Sequence, residues 1–152
     1  MAEIVAVCRS DHKGTSKKSV ESVTLKEDHG VVGDAHAACS NHRQVSLLAE
    51  ESIDKMVQTG PKVGAGDFAE NFTTRGIILT SLPVGTQLSL GSDVVLQVTQ
   101  IGKECHVGCD IFRQIGRCIM PKEGIFARVL RGGLVGPGDT IEIGQQPEGS
   151  NA

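Results

Sequence analysis

The chain has no tryptophan and no tyrosine, and its aromatic content is four phenylalanines in 152 residues. Proteins that grip single-stranded nucleic acid stack bases on aromatic rings inside a basic groove. Here the basic cluster Lys13, Lys17 and Lys18 is diluted by Gly and Ser, and the formal net charge is -3, so no nucleic-acid partner is expected. No apolar run approaches the roughly 18 to 20 residues that span a bilayer, so no membrane association is expected either. None of the five cysteines stands in a CxxC pair, which argues against a zinc ribbon and a thioredoxin-type redox motif. The N-terminal segment MAEIVAVCRSDHKG carries Glu3 and no positive region ahead of its short apolar stretch, so we expect no signal peptide, a mature chain that starts here and a reducing cytoplasmic location. An odd number of cysteines without a secretion signal also speaks against a disulfide framework. Finally, no GxGxxG, Walker, flavin, nicotinamide or iron–sulfur pattern is present, and any redox turnover would need an external electron donor.

What is present suits one soluble domain. With 39% hydrophobic and 22% charged residues, a chain of this length buries roughly 70% of its unfolded surface. We expect a single domain over 1–144 and a flexible tail over 145–152. Glu3 to Arg9, Val20 to Leu25, Arg43 to Leu48, Ile77 to Leu79, Gln87 to Leu90, Val94 to Ile101, Ile125 to Leu130 and Thr140 to Ile143 read as strands, punctuated by Gly or Pro. Ala49 to Thr59 reads as a helix, with Glu50 and Glu51 in its first turn, Ile53, Met56 and Val57 at helical spacing and Gly60-Pro61 as its stop. Cys109 to Arg117 has the pattern of a second, shorter helix. Val63 to Gly76 reads as Gly-rich and polar, and Gly132-Gly133 as a turn. Many short strands with one or two helices predict a mostly β fold, a closed antiparallel barrel that hides its edge strands by closure.

Chemistry concentrates in Gly102 to Cys109, GKECHVGC, which packs two thiols and an imidazole into eight residues, with Cys118 following. The segment comes directly after a strand, where functional residues on loops are held by a rigid element. Cys105 and Cys109 are the candidate reactive or metal-ligating thiols. Lys103 and His106 beside Cys105 would favour its thiolate, whereas Cys8 and Cys39 read as structural. His36, His42 and Arg43 stand on two short polar stretches that can face each other across the bend allowed by Gly33, and an arginine fork suits phosphate oxygens. Glu70-Asn71 follows a Gly-rich loop whose backbone N–H groups can approach an anion, or else forms a plain turn. Arg128 lies in an apolar strand, where it either meets water or an anion, because an unpaired buried charge is costly.

Taken together with VVGDAHA (Val31 to Ala37), HRQVSLL (His42 to Leu48), GDFAENFTTRGI (Gly66 to Ile77) and EGIFARVLRGG (Glu123 to Gly133), the GKECHVGC segment resembles the MOSC family, named for the C-terminal domain of molybdenum cofactor sulfurases. The blocks run in the family's order over nearly the whole chain and end in the GPGD turn, Gly136 to Asp139. The resemblance implies a β-barrel-rich fold and a cysteine that carries sulfur for the molybdenum cofactor or ligates molybdenum. By its distance from Val98-Thr99-Gln100, that cysteine corresponds to Cys105.

The chain lacks the pyridoxal-phosphate desulfurase domain of the full sulfurases, so pyridoxal phosphate is not expected. It also lacks the N-terminal barrel of the amidoxime-reducing enzymes. The leading expectation is a protein that binds the molybdenum cofactor (molybdopterin) or carries sulfur for it through Cys105, with His36, Arg43, Glu70, Asn71 and Arg128 lining the cofactor site. A sulfur-donor or cofactor-synthesis protein would then be its partner. The alternatives are a molybdenum-dependent reductase of N-hydroxylated substrates with a separate redox partner, and a non-catalytic scaffold for cofactor insertion.

Overall fold

Strict alternation places Val94, Leu96 and Val98 on one face of a strand, and all three are essentially inaccessible to solvent, whereas Val95 and Gln97 between them are half-buried. This strand, β8 (Val94–Ile101), pairs antiparallel with β9 (Ile125–Arg131), whose Ile125, Ala127 and Val129 complete the same apolar face. A computed structural model describes residues 2–10, 17–34, 37, 43–58, 63–68, 70–102 and 123–144. Around the central pair the described chain adds β1 (Glu3–Arg9), β2 (Lys18–Val20), β3 (Val23–Lys26), β4 (Gly30–Val31), β5 (Val45–Ala49), α1 (Glu50–Gln58), β6 (Phe72–Arg75), β7 (Gln87–Leu90), β10 (Gly133–Val135) and β11 (Ile141–Ile143).

One eight-stranded sheet runs β11-β7-β8-β9-β5-β6-β1-β2, and a three-stranded sheet runs β10-β3-β4. The core lies between them, with Leu25, Val31 and Val135 of the small sheet packed with Ile4, Leu47, Phe72, Leu96 and Ile125 of the large one. Gln44 ties the two layers together while fully buried. Its Nε2 donates to Asp28 Oδ1 at 2.8 Å, and its Oε1 accepts from the Val129 N–H at 2.9 Å.

The expectation of a mostly β fold with a helix is met, and the closed antiparallel barrel is corrected to a curled half-barrel. β5 pairs parallel with β6, so the sheet is not all antiparallel. It is not closed by a ladder either: β11 and β2 are its ends, and β1 meets the chain entering β11 through one bridge, Glu3 with Thr140, and the backbone hydrogen bonds around it. Other differences are local. Val20 to Leu25 divides into β2 and β3 at the exposed Glu21-Ser22, and Ile77 to Leu79 is not a strand but leads into a 3₁₀ turn at Leu79–Ser81. Gly133, read as a turn residue, opens β10, and the polar stretch ending at Gly76 contains β6. The helix forms as expected and buries Ile53 and Met56, but its third buried residue is Ser52, whereas Val57 is 45% exposed. The second helix, at Cys109 to Arg117, and the tail over 145–152 fall outside the described residues.

Candidate functional site

At the end of β8 the ladder is irregular. Val98 pairs with Ala127, but the next pair is Gln100 with Phe126, so one extra residue, Thr99, is inserted in β8. Simple alternation would point Gln100 to the core side with Leu96 and Val98. The bulge instead turns it to the face of Phe126 and Arg128. There Gln100 makes two hydrogen bonds: its Oε1 accepts from Arg43 Nε at 3.0 Å, and its Nε2 donates to the Gly102 carbonyl at 2.7 Å. The Arg43 guanidinium also lies over the Phe126 ring, 5.5 Å from its centroid, a cation–π contact that fixes its plane. Gly102 in turn donates to the Gly124 carbonyl at 2.7 Å, joining the two chain ends that bound the cysteine-bearing stretch. Cys105 itself, with Cys109, Cys118, Lys103 and His106, lies outside the described residues. In the sequence Cys105 follows Gly102 by three residues.

Arg128 occupies the same face of β9 two residues on from Phe126, cross-strand from Gln97, and is exposed. The expectation that its charge faces either water or an anion is resolved to an exposed side chain, so no burial cost arises. Arg43 and Arg128 are therefore the predicted cations that the structure brings to one face, Arg43 joined through Gln100 to Gly102 at the base of the thiol segment and Arg128 further back along β8, opposite Gln97.

Glu70 and Asn71 lie elsewhere, at the junction of β1, β5 and β6, and are 0% and 1% exposed. Asn71 Oδ1 accepts from the Ser46 N–H at 2.9 Å, its Nδ2 donates to the Cys8 carbonyl at 3.2 Å, and its own N–H bonds Ser46 Oγ at 3.0 Å. As placed, it pins β5 to β1. Glu70 Oε2 accepts from the Gly66 N–H at 3.0 Å and from Thr73 Oγ1 at 2.8 Å, while Oε1 is buried without a partner. Burial pushes its carboxyl up to about 7, hydrogen bonds to the carboxylate, those from the Gly66 N–H and the Thr73 hydroxyl foremost, only partly opposing this. Gly66, with φ +86°, must be glycine: a Cβ there would run into the Lys17 carbonyl and meet Cys8 Sγ at 3.2 Å. Cys8 is fully buried, and burial, reinforced by the Glu70 charge, pushes its thiol up to about 12. Beside it Lys17 and Asp34 form an ion pair at 2.8 Å with both side chains completely buried, and Asp34 also caps the Ser10 N–H at 3.0 Å. The sequence reading missed this pair, having taken Lys17 as part of a loop cluster. His36, two residues beyond Asp34, together with Cys39 and His42, falls outside the described residues.

A cavity of about 330 Å³ opens between α1 and residues 76–80. Glu51, Lys55 and Glu123 line it, so two carboxylates face one ammonium. Partial burial pulls the Glu123 carboxyl up, but donation by Lys55 at 2.7 Å and Ser52 at 2.8 Å outweighs it, and the net shift is downward. An acidic lining of this kind repels an anion, and no predicted site residue lies in it. Among the described residues no group of three potential metal ligands comes together, and no helix is long and apolar enough to cross a membrane.

Three solved structures share the fold. The YuaD protein from Bacillus subtilis superposes with a TM-score of 0.78 at 20% identity, covering 94% of this chain and 96% of that one. YiiM from Geobacillus stearothermophilus gives 0.73 at 20% identity over 99% and 78% of the two chains, and YiiM from Escherichia coli gives 0.67 at 18% over 96% and 69%. No curated protein matches the sequence. Residues 34–142, which span both the Asp34 loop and the whole cysteine segment, match the MOSC domain family, and the chain belongs to that family.

Proposed function

We propose that this protein binds the molybdenum cofactor or carries sulfur for it, with Cys105 as the working thiol. The observation that carries the reading is the rim where β8 ends. There a ring-stacked arginine is bonded through Gln100 to the first residue of the thiol segment, and a second, exposed arginine stands on the same face. The donor chemistry fits the group: a pterin phosphate and molybdenum oxo groups are anionic and match arginine forks, and a soft thiolate suits either molybdenum or sulfane sulfur. When bound, the cofactor would supply a molybdenum centre able to accept sulfur.

In this reading Arg43 and Arg128 orient the anion and Cys105 presents the sulfur. As a carrier, the Cys105 thiolate attacks the outer sulfur of a donor persulfide. The donor S–S bond breaks, the donor leaves as a thiolate, and the outer sulfur with its proton stays on Cys105 as a new persulfide. The donor in this step is a persulfide-bearing cysteine of a sulfur-donor protein.

The test is anaerobic purification from a host that makes the cofactor, followed by molybdenum analysis and assay of cyanide-releasable sulfur for the parent and Cys105→Ser. We expect stoichiometric molybdenum or releasable sulfur in the parent and its loss in the variant. Absence of both from the parent, or their persistence in Cys105→Ser, would overturn the proposal.

A further inference from the structure

We propose that the outer face of β8 and β9 is a docking surface for a partner protein that presents carboxylates, held by Arg128 and Arg131. The described chain has five arginines. Three are engaged: Arg9 donates to the Val32 carbonyl, Arg43 to Gln100, and Arg75 to Glu50 and Glu3. Arg128 and Arg131 make no hydrogen bond or ion pair among the described residues, and both are exposed. Their common orientation is built into the ladder. Alternation from Ile125, Ala127 and Val129 would point Arg131 to the core, where a charge is costly. Leu96 pairs with Val129 but Val95 pairs with Arg131, so Leu130 is inserted in β9. Val95 lies on the side of β8 away from the buried Val94, Leu96 and Val98, and Arg131 turns outward with it, onto the face where Arg128 stands opposite Gln97.

Val95 and Gln97 are two residues apart, so the two arginines stem from points about 7 Å apart along the sheet. That spacing matches carboxylates at i and i+2 of a strand or at i and i+4 of a helix. The ground beside them is neutral, with Gln87 and Ser89 of β7 opposite Gln97 and Val95. The first carboxylate along this row is Glu142 of β11, opposite Ser89. Three strand spacings put it about 14 Å from Arg131, beyond the screening length of about 8 Å at physiological salt. In a chain with a net charge of -3, this face has the opposite sign to the whole. Gln87, Ser89, Val95 and Gln97 stay half-buried across it, as on an antiparallel sheet with one side open. Small ligands favour clefts that enclose them, whereas an open pleated surface with unpaired forks suits a polar protein contact. The persulfide donor of the proposed function would be such a partner, but the face does not depend on that reading, and Arg131 has no part in the cofactor site proposed above.

The experiment titrates the full chain against a Glu-Ser repeat peptide carrying a neutral dye, read by fluorescence anisotropy at low and physiological salt. Extended, the peptide repeats a carboxylate about every 7 Å. The parent is compared with Arg131→Glu, Arg131→Gln, Arg128→Glu and Lys18→Glu, each checked by melting. Lys18→Glu changes the net charge as Arg131→Glu does, but on the exposed strand β2 at the far end of the large sheet. We expect binding that weakens as salt rises, a several-fold loss in Arg131→Glu and Arg128→Glu, a smaller loss in Arg131→Gln, and parental binding in Lys18→Glu. No binding by the parent, Arg131 variants that match it, or an equal loss in Lys18→Glu would overturn the inference. Inorganic diphosphate and a single-stranded oligonucleotide of equal charge serve as competitors, and displacement of the peptide by either at a lower concentration than unlabelled peptide would overturn it in favour of a phosphate site. A parent that sediments as a dimer beside a monomeric Arg131→Glu would assign the face to a second copy, and overturn it likewise. Cys105→Ser should bind the peptide like the parent, so failure of the thiol reading leaves this result standing.

Discussion

Two polar regions of this molecule hold charged side chains and do opposite things with them. At the β1–β6 junction a thiol, a carboxyl and an ion pair (Cys8, Glu70, Lys17 and Asp34) are sealed from solvent, and each is spent on the interior. At the β8–β9 rim, Arg43, Gln100 and Arg128 face outward beside the root of the Cys105 segment. Residue type therefore says little about where chemistry occurs. Burial converts Cys8 into an inert hydrophobe by raising its thiol to about 12, whereas the proposed function asks of Cys105 the opposite, a thiol that neighbouring cations favour as thiolate.

The largest effects should come from unbalancing the sealed region. Lys17→Ala leaves the Asp34 carboxylate buried without its ammonium, and Asp34→Ala does the converse. Either should cost about 3 to 5 kcal/mol, measured by denaturant unfolding. The double change to apolar residues, Lys17→Met with Asp34→Leu, should recover much of the loss, because a buried pair contributes little net stability against a packed apolar replacement. A single variant as stable as the parent would show that this region is open to water and erase the contrast.

Next in size is the Glu70 carboxyl, held up to about 7 when folded against an ordinary 4.5. The folded state binds this proton more tightly than the unfolded chain. Its contribution is thus fully present below pH about 4.5, falls as pH rises, and is gone once pH passes about 7. The difference amounts to about 3 kcal/mol. Glu70→Gln keeps an acceptor for Gly66 and Thr73 and places an amide where Oε1 had no partner, so its stability should be flatter than the parent's across that window. Parallel stability–pH curves would place Glu70 in contact with solvent.

Much of this division is invisible in one sequence, for physical reasons. The strands β1, β7, β8 and β9 and helix α1 announce themselves through hydrophobic period, because each buries one face. β6, Phe72–Arg75, does not: its polar Thr73 is buried with its hydroxyl donated to Glu70, its Thr74 is buried with no partner for Oγ1, and its partner β5 is parallel, a pairing no local pattern encodes. The half-barrel likewise depends on which distant strands meet at β1 and β11. Arg43 and Arg128 were legible as cations set beside strands, but Gln100 was hidden by the bulge, since alternation assigns it to the wrong face. Lys17 was read as one of a loop cluster of lysines and Asp34 drew no reading of its own, because ion pairing is a long-range fact.

A smaller effect belongs to the open rim. Arg128→Ala should weaken binding of the anionic cofactor by about 1.5 to 3 kcal/mol, tenfold to a hundredfold in affinity, with melting unchanged because the side chain is exposed. Arg128→Lys should recover part of this, an ammonium lacking the bidentate fork. Equal affinity in all three, by cofactor titration, would move the anion site away from this face.

The claim that chemistry resides at the rim, and not in the sealed cluster, is tested most directly by competition between the two thiols in one molecule. Native protein is treated with limiting iodoacetamide at neutral pH, quenched at intervals and mapped by peptide. With its thiol at about 12, Cys8 holds only about one part in a hundred thousand as thiolate at pH 7, and burial denies the reagent access. The account predicts that Cys105 is labelled first and Cys8 only on unfolding. Labelling of Cys8 at a rate equal to or above that of Cys105 in the folded protein would contradict it.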